Sequence, residues 1–197
     1  MATTATGSSS QTYFSLLQQQ LEQLDHEAID AYADLIFETW KAQRRVITFG
    51  NGGSAYTASH HVTDYVKTAA VDGQPRLAAI SLVDNVGLTT ALGNDISYED
   101  TFVYPLESYA QAGDVTVAIS CSGNSPNVVK AGRWAKDHGL TLVAITGFTG
   151  GAIGPMADIH IHVPSDNYGV VEDIQMSIAH VAAQGLKRRI TELVGRG

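Results

Sequence analysis

Two turns rich in glycine and serine could bind a negatively charged ligand. The turns are Gly50–Ser54 and Ser120–Ser125, and each follows a short apolar run typical of a β-strand, Arg45–Gly50 and Val115–Ser120. Each turn also precedes a segment in which the apolar residues have helical spacing. At such strand-to-helix turns, free backbone N–H groups and the helix dipole favour an anion. The two turns therefore predict that the chain binds a phosphorylated small molecule.

Histidines and carboxylates recur at helical spacing in two parts of the chain. His60 and Asp64 are four residues apart on the helix that the first turn opens, so their side chains project from one face. Glu172 and His180 are two such steps apart on a late helix. If the two helices meet, within or between subunits, the set could hold zinc or a similar divalent ion. It could also supply the acid and the base for moving a proton next to a carbonyl group. A surface ion pair is the simpler interpretation of His60 and Asp64 alone.

Other interpretations of these motifs are weaker. The first turn satisfies the loose G-x-G-x-x-G/A form of a dinucleotide-binding turn, but the acidic residue expected at the end of the second strand is missing. Neither turn contains the lysine of a nucleotide-triphosphate loop. Cys121 has no evident basic partner, so we expect a small packed residue there instead of a nucleophile. His61 is adjacent to His60 and should point elsewhere on the helix.

The alternation of apolar runs and helix-length segments predicts the elements that position these residues. Five apolar runs predict strands at 46–50, 77–82, 115–120, 140–146 and 159–163. Helices are predicted at 54–68, 86–92, 101–112, 124–138 and 170–193. This order predicts an α/β fold of the doubly wound class, with a five-stranded parallel sheet between helices. Ligands of such sheets bind beyond the carboxyl ends of the strands, where both turns lie.

The residues before the first strand predict a disordered lead and a helical pair. Residues 1–11 are small and polar and lack the charged and apolar regions of a signal peptide. Residues from Tyr13 to Arg44 have helical spacing, with a break near Asp25. We expect one domain over 12–197, with the helical pair over 12–44 and the α/β core over 45–197.

Composition narrows the class of protein. The chain has 197 residues, a net charge of −8 and 44% hydrophobic residues. A nucleic-acid surface would need clustered lysine and arginine, which this acidic balance disfavours. The single cysteine, Cys121, excludes an intrachain disulfide, and no stretch approaches the roughly 20 apolar residues of a membrane span. We expect a soluble, cytoplasmic protein that binds neither nucleic acid nor a membrane.

Taken in order along the chain, these motifs resemble the SIS (sugar isomerase) domain family, and in particular its isomerases of sedoheptulose 7-phosphate. The resemblance runs from about residue 13 onward and includes the two turns and the late helix. It also includes three short segments, Gly93–Asp95, Ala112–Asp114 and Thr146–Gly147. The resemblance implies a homotetramer with active sites between subunits. It also implies a sugar phosphate held by the serine loops and one divalent metal ion per site, with zinc as the first choice.

The resemblance further implies roles for individual residues. The catalytic base falls on Asp64 and the catalytic acid on His180. The metal ligands fall on His60, Asp64, Glu172 and His180. The substrate-binding positions fall on Asn51, Gly52, Gly53, Ser54, Asp95, Ser120, Ser122, Asn124, Ser125 and Glu172. The implied reaction is an aldose–ketose isomerisation of sedoheptulose 7-phosphate to D-glycero-D-manno-heptose 7-phosphate through an enediol or enediolate, which is an intramolecular oxidoreduction.

Three departures from the family's pattern keep other functions open. Asp64 is one methylene shorter than the family's glutamate, Glu172 replaces a neutral glutamine, and the usual Asp-Arg pair is missing from 167–171. If Asp64 binds metal it is a poorer base, and Glu172 or a metal-bound water could take that role. One alternative is an isomerase of a different sugar phosphate. The other is a non-catalytic adaptor or sugar-phosphate-binding protein, against which the joint presence of Asp64 and His180 argues.

Overall fold

A five-stranded parallel sheet lies at the centre of the fold. The structure is a computed structural model that describes residues 8–195. Within that range the strands are β1 (Arg45–Gly50), β2 (Ala78–Ser81), β3 (Val115–Ser120), β4 (Thr141–Thr146) and β5 (Ile159–His162). Their order in the sheet is β2-β1-β3-β4-β5, and every neighbouring pair is parallel. Each strand ends within one residue of its predicted bounds, and the predicted α/β class is confirmed.

Helices cover both faces of the sheet. In the described part of the chain they are α1 (Ser9–Leu21), α2 (His26–Lys41), α3 (Gly53–Thr63), α4 (Val86–Asp95), α5 (Val103–Tyr109), α6 (Pro126–Asp137) and α7 (Tyr168–Val194). A π-helical turn, Asp64–Thr68, continues α3, and short 3₁₀ turns lie at Tyr98–Asp100 and Gly154–Met156. None of the helices within residues 8–195 combines the length and apolar composition needed to cross a membrane.

The core divides into two layers because strand side chains alternate between the faces of the sheet. Val117 points into a layer formed with α2, α3 and α7, whereas its neighbour Ala118 points into a layer formed with α5 and α6. The same alternation places Val143 and Ala144 in opposite layers. Both faces are therefore buried, which explains why the strands read as continuous apolar runs in the sequence.

The predicted bounds of the N-terminal lead, of α4 and of α5 are wrong. Helix α1 begins at Ser9, so the end of the predicted disordered lead is helical; residues 1–7 lie outside the described residues. Ser8 caps α1, because its hydroxyl accepts from the Gln11 N–H while the Gln11 side chain accepts from the Ser8 N–H. The helix predicted over 101–112 is shorter because the backbone becomes extended at Ala110.

Asp114 ties the start of β1 to the segment that leads into β3. Its carboxylate is 1% exposed and accepts hydrogen bonds from the backbone N–H groups of Arg45 at 3.0 Å and Gln111 at 2.9 Å. Both donors lie in part-buried surroundings, where an N–H group without a partner is costly. Asp114 therefore helps to set where β1 begins beside β3.

Replacing Asp114 with alanine should lower the free energy of unfolding by about 3 kcal/mol, because it leaves two backbone N–H groups without their acceptor. Urea unfolding followed by circular dichroism measures this change. Asp137→Ala, which removes an exposed carboxylate at the end of α6, is the control and should change the value by less than about 0.5 kcal/mol. A loss below about 1 kcal/mol in Asp114→Ala would contradict the structural role of this carboxylate.

Candidate active site

The turn after β1 leaves the first N–H groups of α3 available. Gly52, the residue that caps α3, has a φ of +55° and no side chain that could accept from those N–H groups. Gly50 passes close to β3, since a β-carbon added to it would lie 2.6 Å from the carbonyl oxygen of Ile119. The glycines thus make the turn tight and expose a helix N-terminus that can bind an anion.

In the turn after β3, most of the polar side chains stabilise the turn itself. Ser120 and Ser122 each accept a hydrogen bond from a backbone N–H of the same turn, at 3.1 and 3.2 Å. The Asn124 side chain accepts from the Ala152 N–H at 2.9 Å and donates to the Ser122 carbonyl at 3.1 Å. Ser125 caps α6 but makes no side-chain hydrogen bond to the helix. Its hydroxyl is therefore available to a ligand. Of the first helical residues, Pro126 has no N–H and Val128 donates its N–H to Asn127 Oδ1 at 3.0 Å.

Both turns and the start of α7 line one cavity of about 320 Å³. Its lining is Asn51, Gly52, Gly53, Ser54, Ser120, Cys121, Ser122, Ser125, Tyr168 and Glu172. Eight of the ten predicted substrate-binding residues are among them. Tyr168 is the addition that sequence reasoning missed, and Cys121 is the packed residue expected there, with burial raising the pKa of its thiol. Of the lining residues that the structure describes, none is a lysine, arginine or histidine.

The other two predicted substrate-binding residues do not line this cavity. Asp95 is exposed at the end of α4, which runs three residues beyond its predicted end, and its carboxylate accepts from the Asn94 side chain at 2.6 Å. Asn124 is exposed and braces the turn after β3 through the contacts described above. Within a single chain, neither side chain reaches the space between the two turns.

Asn51 connects the two turns through Asn127, a buried residue of α6. Asn51 Nδ2 donates to Asn127 Oδ1 at 2.8 Å, and Asn127 Nδ2 donates back to Asn51 Oδ1 at 3.0 Å. The Tyr98 hydroxyl also donates to Asn51 Oδ1 at 3.0 Å. Asn127 was not predicted as a site residue, although a polar side chain between Pro126 and an apolar pair at the start of the helix could have indicated it. The paired amides hold the turns at a fixed separation.

His60, Asp64 and His180 form a second cluster. Oδ2 of Asp64 lies 2.7 Å from Nδ1 of His180 and 3.4 Å from Nε2 of His60. One ligand atom from each residue lies within 4.8 Å of the others. Asp64 is 5% exposed, and the histidines are partly exposed. Nε2 of His60 is buried and has no hydrogen-bond partner among the described residues. Helix α3 with the π-helical turn after it thus meets α7 within one chain, which was the condition for a shared site.

Within a single chain, Glu172 lies outside this cluster, so its expected role as a fourth metal ligand stays a prediction. Glu172 and His180 are separated by eight residues of α7, which is about 12 Å along the helix axis. The Glu172 side chain instead enters the cavity: a β-carbon added to Gly53 would lie 2.0 Å from its Oε1. The Cys121 Sγ lies 4.0 Å from the same oxygen.

A π-helical turn and a threonine position the Asp64 carboxylate. The turn closes where the backbone N–H of Ala69 donates to the Asp64 carbonyl at 2.8 Å. The Thr68 hydroxyl donates to Asp64 Oδ1 at 2.9 Å. Since Oδ1 is engaged by Thr68, Oδ2 is the oxygen that both histidines approach. Such turns are rare and occur often at functional sites.

Behind the cluster, buried polar side chains connect α2, α3 and α7. His61 Nε2 lies 3.4 Å from the backbone carbonyl oxygen of Gln175, which can only accept a hydrogen bond, so Nε2 carries the proton of the neutral ring. His61 Nδ1 therefore accepts from the Tyr32 hydroxyl at 3.4 Å. The Tyr32 oxygen in turn accepts from the Tyr65 hydroxyl. Burial lowers the pKa of His61 to about 4 and raises the pKa of both tyrosines, so all three are neutral at pH 7. His61 thus points away from the cluster.

Comparison with known proteins identifies the family. The SIS domain profile matches residues 11–147. A phosphoheptose isomerase of Bordetella avium is 35% identical over 175 residues, which are 87% of this chain and 88% of that protein. Solved phosphoheptose isomerases from Francisella tularensis and Neisseria gonorrhoeae superpose with TM-scores of 0.84 and 0.83 at 27% identity, covering 90% and 91% of this chain and 96% and 97% of theirs. The resemblance drawn from the sequence is thereby confirmed: the chain belongs to the SIS domain family and, within it, to the phosphoheptose isomerases.

Proposed function

We propose that this protein is an aldose–ketose isomerase that converts sedoheptulose 7-phosphate to D-glycero-D-manno-heptose 7-phosphate. The observation that carries the proposal is the Asp64–His180 pair, with 2.7 Å between carboxylate and imidazole, in a member of the phosphoheptose isomerases. A purely binding protein has no need of such a pair. The cavity between the two turns supplies N–H and hydroxyl groups suited to a phosphate monoester.

The reaction moves one proton between neighbouring carbons and one between their oxygens. Asp64 is the proposed base that removes a proton from C1 of the ketose, while His180 delivers a proton to the oxygen on C2. These transfers give the enediol. Protonated Asp64 then returns a proton to C2, and His180 takes the proton from the oxygen on C1, which becomes the aldehyde. Both residues finish in their starting protonation states. The serine loops contribute by holding the phosphate, which fixes the distance of C1 and C2 from Asp64.

His60, Asp64 and His180 also fit a divalent metal ion, and we propose zinc. Imidazole nitrogen and carboxylate oxygen are typical zinc ligands, and a three-ligand set is typical of catalytic sites. The buried Nε2 of His60 supports this fit, because buried polar atoms ordinarily have a partner. When bound, the ion would act as a Lewis acid toward the carbonyl oxygen. If Oδ2 of Asp64 binds the metal ion, that oxygen is less available as a base. The Thr68 hydrogen bond to Oδ1 orients the carboxylate in either role.

A homotetramer with active sites between subunits is part of the proposal. Its support is a largely apolar groove of about 810 Å³ along the edge strand β2, lined in part by Val86, Leu88, Pro105 and Tyr109. An edge strand and an exposed apolar groove are surfaces that association would cover. A site between subunits would also account for the implied substrate-binding role of Asp95, which does not line the cavity of its own chain.

The purified protein loaded with zinc should convert sedoheptulose 7-phosphate to the aldose, followed by NMR. His180→Ala should lower kcat by at least about 100-fold because it removes the proposed acid, whereas His138→Ala, at an exposed histidine stacked on Trp134, should leave it unchanged. Near-normal kcat in His180→Ala would remove His180 from the mechanism. Inactivity of the zinc-loaded protein itself would favour a different sugar phosphate.

Thr68→Val should weaken zinc binding about tenfold, because the hydroxyl that orients the Asp64 carboxylate is lost. Competition with a chromophoric chelator measures this affinity, and Thr68→Ser should restore it. Thr63→Val is the matched control, since the Thr63 hydroxyl donates to the Ser59 carbonyl of the same helix at 3.3 Å. Equal zinc affinities of the Thr68→Val and Thr63→Val variants would contradict the positioning role.

Light scattering should give a particle mass of about four times the chain mass of 20.9 kDa. Tyr109→Glu should lower the mass, because it places a charge in the apolar groove along β2. Gln111→Glu adds the same charge at an exposed position two residues away and is the control. A mass of one chain for the unmodified protein would contradict the tetramer and the sites between subunits.

A further inference from the structure

A carboxylate of this chain lies against the anion-binding turn at α3. Helix α3 has no acidic residue in its first turn and no side-chain cap. Glu172 reaches it from α7, and its two carboxylate oxygens lie 2.0 and 2.7 Å from where a β-carbon of Gly53 would be. The carboxylate therefore lies directly against the first residue of α3. A negative group at a helix N-terminus is stabilised by the free N–H groups and the helix dipole.

Glu172 has no cationic partner in the described chain. None of the ion pairs found within residues 8–195 involves it. The side chains around it in the cavity are uncharged hydroxyls, an amide and the Cys121 thiol. A phosphate that enters this cavity of about 320 Å³ thus meets a carboxylate whose charge no cation offsets. Like charges at such short range repel strongly when little water separates them.

The two ends of the cavity consequently differ in what they accept. At the α6 end, the hydroxyl of Ser125 makes no hydrogen bond to the helix, so it can donate to a phosphate, and the positive end of the helix dipole favours an anion there. At the α3 end, Glu172 can only accept, so it favours the hydroxyl groups of a sugar chain over a second anion.

We propose that Glu172 is a specificity-determining residue, which makes the α3 end of the cavity select hydroxyl groups and reject phosphate. A ligand with one phosphate then lies with that group at α6 and its hydroxyl chain toward α3. A sugar that carries phosphates at both ends is excluded. This inference deepens the proposed function, because it rests on a sugar phosphate as ligand of this cavity, but it concerns binding and not turnover.

The test compares three probes on the zinc-loaded protein: inorganic phosphate, sedoheptulose 7-phosphate and sedoheptulose 1,7-bisphosphate, each by calorimetric titration. Glu172→Gln should raise the affinity for the bisphosphate and for inorganic phosphate by on the order of tenfold, because it removes the repelling charge. The affinity for the monophosphate should change much less. Glu172→Asp keeps the charge and should still reject the bisphosphate.

Glu192→Gln is the matched control, since it removes one negative charge from an exposed position on the same helix. Its affinities should equal those of the unmodified protein, which excludes an effect of net charge. Equal bisphosphate and phosphate affinities in Glu172→Gln and in the unmodified protein would overturn the inference. A rise in phosphate affinity in a protein that never turns over sedoheptulose 7-phosphate would uphold the inference and refute the proposed function, so the two failures are distinguishable.

Discussion

The pairing of β1 with β3 fixes the geometry on which the candidate site depends. The two strands are in register from Val46 beside Val115 to Gly50 beside Ile119, so both end at the same level of the sheet. Because the strands are parallel, both following turns open in the same direction, and the helices after them point their N-termini at one space. The reciprocal amide bonds of Asn51 and Asn127 then lock the turns together. A shift in this register would separate the two anion-binding turns.

Helix α7 sets the second distance in the site. It carries Glu172 at the cavity and His180 at the cluster with Asp64, and a rigid helix keeps them about 12 Å apart. A seven-carbon sugar phosphate is an extended molecule, and in the proposed function its phosphate and its carbonyl end are handled by separate groups. One helix that contacts both regions can hold them at a constant spacing.

Much of the fold could be predicted because its signals are local. Strands buried on both faces give continuous apolar runs, and the glycines that a tight strand-to-helix turn requires are visible in the sequence. The start of α1 also has a local signal, because Ser8 and Gln11 have the spacing of a capping box, although the polar composition of this segment favours disorder.

The missed features depend on side-chain contacts that residue types and spacing do not reveal. Asn127 donates to Asn51, which lies 76 residues away in the sequence. The polar side chain of Asn127 alone therefore does not indicate which residue it contacts. The π-helical turn at Asp64 leaves the apolar spacing of the helix intact, and the Thr68 hydroxyl gains meaning only from the carboxylate that it contacts. Glu172 and His180 share a face by helical spacing, but their separation along the axis assigns them to different regions of the site.

The hydrogen-bond chain from Tyr65 through Tyr32 and His61 to the Gln175 carbonyl has a single direction, because each member has one proton to give. Tyr32 is the only contribution of α2 to this chain in the described residues, and it is fully buried. A polypeptide that began at β1 would leave the Tyr65 hydroxyl and His61 Nδ1 facing an empty space under the site. We therefore expect that the strands and the helices after them do not fold without the N-terminal helices. Tyr32 of α2 is needed to hold His61 and Tyr65, and with them the turn that carries Asp64, in place.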